Sequence, residues 1–134
     1  MAFAVLVLAW LILGARAVRL EDQATAVIDK ARAGPVTDAE VRRARERLDQ
    51  ARDLSPDRGP LIKVGQLALA LGHEEQAALI AAAATVEEPD NLQAWFLVWA
   101  ASPDRRGKAL AERRLLELNP WFSEVLRRLE LQSQ

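Results

Sequence analysis

Charged side chains are absent from Ala2 to Ala15, and beyond that run apolar positions recur with helical rather than strand spacing. Arg16 interrupts the apolar run before Ala17, Val18 and Leu20 continue it. From Leu20 to Ala33 the apolar residues Leu20, Ala24, Val27, Ile28 and Ala31 lie on one helical face, and Gly34-Pro35 supplies a stop. The first span can therefore run unbroken into this helix. Thr37-x-x-Glu40 predicts a capping box, with Val36 and Val41 placed to staple it, and the helix it opens carries Val41, Ala44, Leu48 and Ala51 on one face. Gly59-Pro60 opens a further helix that Gly72 closes, and its partner runs from about His73 to Val86 before Glu87-Glu88-Pro89. The Gly72-His73 turn is so short that the two must be antiparallel. Asp90-x-x-Gln93 resembles a second capping box, for a helix through Ala101 that Ser102-Pro103-Asp104 breaks. A helix from about Arg106 to Leu118 follows. A last one, Trp121 to Leu131, has Phe122, Val125, Leu126 and Leu129 on one face, as a terminal cap would.

Three of these helices end at prolines, Pro56, Pro89 and Pro120, which stand 33 and 31 residues apart. That approaches the roughly 34-residue period of a helix-turn-helix repeat. One such unit cannot bury its apolar face alone, so stacking is implied. Composition agrees: the chain has 134 residues, 51% hydrophobic and 5% aromatic, with no tyrosine. The abundant alanine and leucine favour helices packed closely through small side chains. The expected fold class is all-α, a short solenoid of antiparallel helix pairs preceded by a transmembrane helix. Residues 1–20 are the expected anchor and residues 21–134 the repeat domain.

As a helix, Ala2 to Ala15 would rise only about 21 Å against roughly 30 Å of hydrocarbon. If Arg16 and Arg19 reach to the interface while their stems stay in the apolar layer, Ala2 to Leu20 approaches the needed length. A single-pass membrane span, a cleaved secretory signal and a buried core helix or incomplete start all fit an apolar lead. The span is preferred over the signal because no Lys or Arg precedes the run, although Ala15-Arg16-Ala17 has the small-x-small form of a cleavage site. Arg16, Arg19 and Lys30 follow the span, but they leave the side of the membrane open.

The segment Leu61 to Pro89 resembles a tetratricopeptide repeat. Leu61, Val64, Gly65 and Ala68 fill the positions of that family's first helix, Gly72 stands at its turn, and Ala77, Ala81, Ala84 and Pro89 fill its second helix. Ala68 and Ala81 depart from the bulky aromatics common there, which implies tighter packing or room for a neighbour's large side chain. The preceding unit matches through Ala44, Leu48, Ala51 and Pro56. In the following unit Trp95 and Val98 match, while Trp99 replaces a small residue. An unrelated antiparallel bundle would share the caps and the periodicity, but has no reason for prolines at this interval. The order of elements, ending in NLQAWFLVWAAS and LNPWF, also resembles the tetratricopeptide tails of bacterial polytopic membrane proteins, O-antigen-ligase-like ones among them.

Candidate chemistry is sparse. His73 is the only histidine and there is no cysteine, so neither a nucleophile-base pair nor a thiolate or histidine metal site is expected. No phosphate-binding glycine loop is present. Neither enzymatic activity nor a cofactor is expected, and no small-molecule substrate. A formal net charge of −1 gives no basic excess for tracking phosphates, so no nucleic-acid partner is expected. The arginines of the second helix pair on paper with acids at i,i+4, as Asp38/Arg42, Arg42/Glu46 and Arg45/Asp49, and read as a solvated face.

What remains is a surface for a protein partner. The repeat resemblance implies a concave face lined by the first helix of each pair, with Lys63, Gln66, Gln93 and Phe96 as contact candidates. Trp95 and Trp99 at i,i+4 form an aromatic candidate surface, with Phe96 expected to point away from them, although such rings also fill cores. The expected function is a membrane-anchored scaffold for protein-protein interaction. The alternative is a structural accessory domain of an envelope-polysaccharide or secretion assembly.

Overall fold

A computed structural model describes the backbone of residues 2–55 and 57–132 and the side chains of residues 10–55 and 57–128. Among the described residues the chain forms seven helices and no strand: α1 (Ala2–Ala33), α2 (Asp38–Leu54), α3 (Gly59–Ala70), α4 (Glu74–Glu87), α5 (Leu92–Ala101), α6 (Arg105–Leu118) and α7 (Phe122–Gln132). The expected all-α class holds. α1 passes residue 20 without a break, so the border drawn there between anchor and domain falls inside one helix. Pro56 lies outside the described residues.

Local signals set most of the helix ends. Thr37 caps α2 with both halves of the box in place: its Oγ1 accepts from the Glu40 amide at 3.3 Å, and its own amide donates to Glu40 Oε2 at 2.9 Å. Gly72 adopts φ +80°, a conformation that L side chains rarely enter. His73 N then donates to Ala68 O and Gly72 N to Leu69 O, which satisfies carbonyls that α3 would otherwise leave open. Asp104 caps α6 by accepting from Gly107 N at 2.7 Å.

One cap is shifted from its expected place. The side chain that closes the start of α5 is Asn91, accepting from the amides of Gln93 and Ala94, and not Asp90. Pro89 and Asp90 are held in a turn closed by Asn91 N donating to Glu88 O, so Asn91 is the first extended residue before the helix. The Asp90 carboxylate meets Arg114 instead, at 3.4 Å.

Helices adjacent in sequence pack together from α1 to α7, and in addition α1 meets α3 and α3 meets α5. Among the described residues the even-numbered helices make no such direct contacts with one another. The core follows this order. One cluster joins Ala24 and Ile28 of α1 to Ala44 and Leu48 of α2 and Leu67 of α3. A second joins Ile62 of α3 to Ala81 and Ala84 of α4 and to Ala94 and Leu97 of α5. A third joins Ala68, Ala77 and Ala101 across the same three helices. Alanine predominates at these contacts because a methyl lets two backbones approach where a longer side chain would hold them apart. The larger members still matter, since full burial of a leucine or isoleucine contributes about 1.5–3 kcal/mol.

Gly65 marks the tightest point. A Cβ built there would lie 2.4 Å from Leu97 Cδ2 and 3.1 Å from Ile80 Cγ2. Ala68 and Ala81, where the resembled family has bulky rings, are fully packed, so the structure takes the tighter of the two outcomes expected for them.

The i,i+4 pairs expected along α2 are not formed among the described residues. Asp38, Arg42, Arg45, Glu46 and Asp49 share its outer face without closing into ion pairs. The pairs that do form often tie one helix to another: Lys30 with Glu40 between α1 and α2, and Arg58 at the head of α3 with Glu87 at the foot of α4.

Two consequences can be measured. Gly65→Val should lose about 2 kcal/mol in urea unfolding through overpacking, while Gly14→Ala, inside α1 and meeting nothing within 4 Å, should not lower the midpoint and should raise it by the better helix propensity of alanine. A tolerated valine at 65 would contradict the packing described. Hydrogen bonds from Lys30, then from the Thr37 amide and hydroxyl, hold the Glu40 carboxyl down from 4.5 to about 2. Its contribution to stability is complete above pH 4.5 and is lost as pH falls toward about 2. The melting temperature of Glu40→Gln should therefore fall less steeply than that of the native chain across this window.

Candidate functional site

α1, α3 and α5 touch in sequence, so these three helices form one row across the molecule. The candidates Lys63, Gln66, Gln93 and Phe96 all belong to α3 and α5. At the α1–α3 junction Lys63 Nζ donates to Thr25 Oγ1 at 2.6 Å and lies 3.9 Å from Glu21 Oε2. Lys63 is thus engaged within the chain, bridging two helices. Burial pushes the Glu21 carboxyl up; the Lys63 ammonium opposes this, while Asp57 and Asp22 reinforce it. Gln66, one turn further along α3, is half-buried, and Gln93 at the start of α5 is exposed.

The aromatic residues divide differently from the sequence expectation. Phe96 does not point away from the tryptophans: it stacks on Trp99 with centroids 5.7 Å apart and planes at 20°. It also meets Phe122 of α7 edge-on at 5.7 Å. The spacing i,i+3 puts Phe96 and Trp99 on adjacent turns, and Phe122 comes to them because α7 begins beside α5. These three rings join α5 to the last helix.

Trp95 belongs to a separate arrangement. Its Nε1 donates to Pro89 O at 2.7 Å, and the Arg114 guanidinium of α6 lies over the ring, 5.7 Å from its centroid. Arg114 also donates to Pro89 O at 3.3 Å and to Glu117 at 2.6 Å. Trp95, Arg114 and the turn after α4 therefore form one polar-aromatic brace. Spacing along α5 brings Trp95 and Trp99 to similar depth, both half-buried, but they serve different neighbours.

Trp121, like Trp10 of the apolar lead, stands in water. It is 85% exposed in the turn between α6 and α7, where its amide donates to Asn119 Oδ1. Nothing in the sequence separates it from Phe122, which turns inward one residue later. α4 also presents an uncharged outer stripe of Leu79, Ala82, Ala83 and Val86 at helical spacing, with Leu79 68% and Val86 82% exposed. Sequence reasoning missed this stripe because α4 is apolar on every side, so its pattern does not say which side is covered.

Among the described residues there is no buried polar or charged side chain and no group of three or more His, Cys, Asp or Glu able to hold a metal. His73 lies exposed at the α3–α4 turn. Among the same residues no helix is long and apolar enough to cross a membrane. The described part of the apolar lead is Trp10 to Ala15, with Trp10, Leu11, Ile12 and Leu13 all exposed, and the side chains of residues 2–9 lie outside the description.

Comparison with known proteins finds no matching family model, no matching curated protein and no matching solved structure. The tetratricopeptide resemblance thus rests on the residues of Leu61 to Pro89 themselves. What the geometry defines is a class: an all-α fold, with seven helices among the described residues.

The brace around Trp95 can be tested directly. Trp95→Phe keeps the ring but deletes the hydrogen bond to Pro89 O and weakens the cation contact, so urea unfolding should show a loss of about 1–2 kcal/mol. An unchanged midpoint would mean that the brace contributes nothing.

Proposed function

We propose that this chain is a non-enzymatic helical-repeat scaffold of tetratricopeptide type, tethered to a bilayer by the apolar start of α1 and offering the row of odd-numbered helices to a protein partner. The observation that carries the reading is the contact order of the helices. Among the described residues α1 touches α3 and α3 touches α5, while the even-numbered helices do not touch one another. A stack closed on one side and open on the other curves, with the odd-numbered helices on its inner surface. Gly65 supports the repeat assignment, because the small residue at the matching family position allows the same close approach of helices.

Gln66 and Gln93 are the polar candidates on this surface that make no recorded side-chain hydrogen bond among the described residues, and they are proposed as partner contacts. Lys63, Phe96, Trp95 and Trp99 hold neighbouring helices together and shape the surface from behind. Membrane attachment is proposed from the apolar lead: Ala2 to Ala15 carry no charge, and the described residues Trp10 to Leu13 are exposed.

A specific observation favours the second reading, a structural accessory unit of a larger envelope assembly. The outer face of α4 is apolar and uncovered, as a surface packed against another subunit or segment would be.

The two readings separate by where contact falls. A photo-crosslinking residue placed at Gln66 or Gln93 in membranes should give a discrete adduct under the first reading, while one at Ala82 should not. Adducts at Ala82 alone would favour the accessory unit. The tether is checked by flotation with phosphatidylcholine vesicles: the full chain should rise with the lipid, and a chain lacking residues 1–15 should stay behind with its helical circular dichroism retained.

A further inference from the structure

Short turns between antiparallel helices sort the loops of this molecule to two ends. The turns after α2, α4 and α6 lie at the end from which the apolar lead of α1 emerges; the turns after α1, α3 and α5 lie at the other. Side-chain contacts support the sorting. Arg58 after α2 pairs with Glu87 at the foot of α4, and its amide donates to Glu88. Arg114 near the end of α6 reaches Pro89 and Asp90 after α4.

The level of this end along α1 is also defined. Leu54, Ser55 and Asp57 line one groove with Leu13, Gly14 and Ala17 of α1, and Arg16 lines another with Gln50 and Asp53. The first group of turns therefore begins where the uncharged run gives way to Arg16. From that level α1 continues outward for about 16 Å, at 1.5 Å per residue from Leu13 back to Ala2.

This end has a distinct surface. The acidic side chains at the foot of α4 and after it are engaged with neighbours: Glu87 with Arg58, Glu88 with the Arg58 amide and the Asn91 side chain, Asp90 with Arg114. Asp57 accepts from the Gly59 amide, while Asp53 is exposed. At the same end the turn after α6 carries Trp121, 85% exposed, and the foot of α4 carries Val86, 82% exposed. The opposite end differs, presenting Gly34-Pro35, His73 with Glu74 and Glu75, and Arg105 with Arg106, while the aromatic residue nearest to it, Trp99 in the last turn of α5, is half-buried. Indole rings concentrate at the headgroup level of bilayers, where an apolar body and one N–H donor are both accommodated. Acidic groups already paired within the chain lose less on approaching that layer than solvated ones would.

We propose that the α6–α7 turn is a second membrane contact, with Trp121 inserted at the headgroup level of the same bilayer that holds the lead of α1. The partner is the lipid interface itself. Two separated contacts, the lead at one side of the stack and Trp121 at the other, hold the body upright on the surface and fix which way the odd-numbered row faces. A single helix would leave the body free to swing about it. This inference rests on the tether proposed above.

The test uses the full chain with phosphatidylcholine vesicles, with and without bromine on the acyl chains, and compares native protein with Trp121→Phe. The emission lost in Trp121→Phe should be blue-shifted on vesicle addition and quenched at least twofold by the brominated lipid. Pro103→Trp, which places an indole in the α5–α6 turn at the opposite end, should add emission that stays water-like and unquenched. If the chain floats with vesicles but the Trp121 component remains water-like, the second contact is refuted and the tether stands. If the chain does not float, both fall. If Pro103→Trp is quenched as strongly as Trp121, the body lies on its side and the upright orientation is refuted.

Discussion

Everything in this molecule depends on how closely α3 can approach its neighbours. α3 touches α1, α2, α4 and α5, more helices than any other element. It does so with a glycine and an alanine at the contacts where a longer side chain would block the way. The helices around it answer with alanines of their own, Ala44 from α2, Ala77, Ala81 and Ala84 from α4, Ala94 and Ala101 from α5. Each contributes little apolar area. Their value lies in backbone proximity, which brings the few large buried residues, Ile28, Leu48, Ile62, Leu67, Leu97 and Leu115, into register.

Direction is governed by a second constraint, the shortness of the turns. With a Schellman close at Gly72, a capping box at Thr37 and an asparagine cap at Asn91, each helix ends where its backbone groups find partners, and the next must double back. Alternation follows, and with it the separation of odd from even helices and of one end from the other. The odd row is continuous from α1 through α3 to α5 because these helices touch; among the described residues the even helices do not touch one another, and the outer face of α4 is left uncovered. Surface and packing are thus consequences of the same turns.

Polar side chains play a supporting part. The ties made by Lys63, Arg58 and Arg114 all run between helices or from a helix to a turn, and all lie at least partly in solvent, where a single pair contributes modestly. Their role is positional. Arg114 shows this best, since one guanidinium meets the Trp95 ring, the Pro89 carbonyl and two carboxylates, and so holds α6 to the turn that starts α5.

Helix existence, most helix limits and the all-α class were legible in the chain, because caps, proline positions and apolar periodicity act over a few residues and leave their mark in order. The displaced cap at Asn91 shows the limit even there: Asp90 and Asn91 are both good capping residues, and only the turn around Pro89 chooses between them. The fate of three rings was decided by tertiary structure. Trp95 turned to Arg114, Phe96 met Phe122 as well as its own-helix neighbour Trp99, and Trp121 turned to solvent, because the contacts with Arg114 and Phe122 come from other helices and the exposure of Trp121 depends on the direction of a turn. The uncovered side of α4 belongs with them, since a helix apolar all round carries no record in its own sequence of which neighbours will arrive.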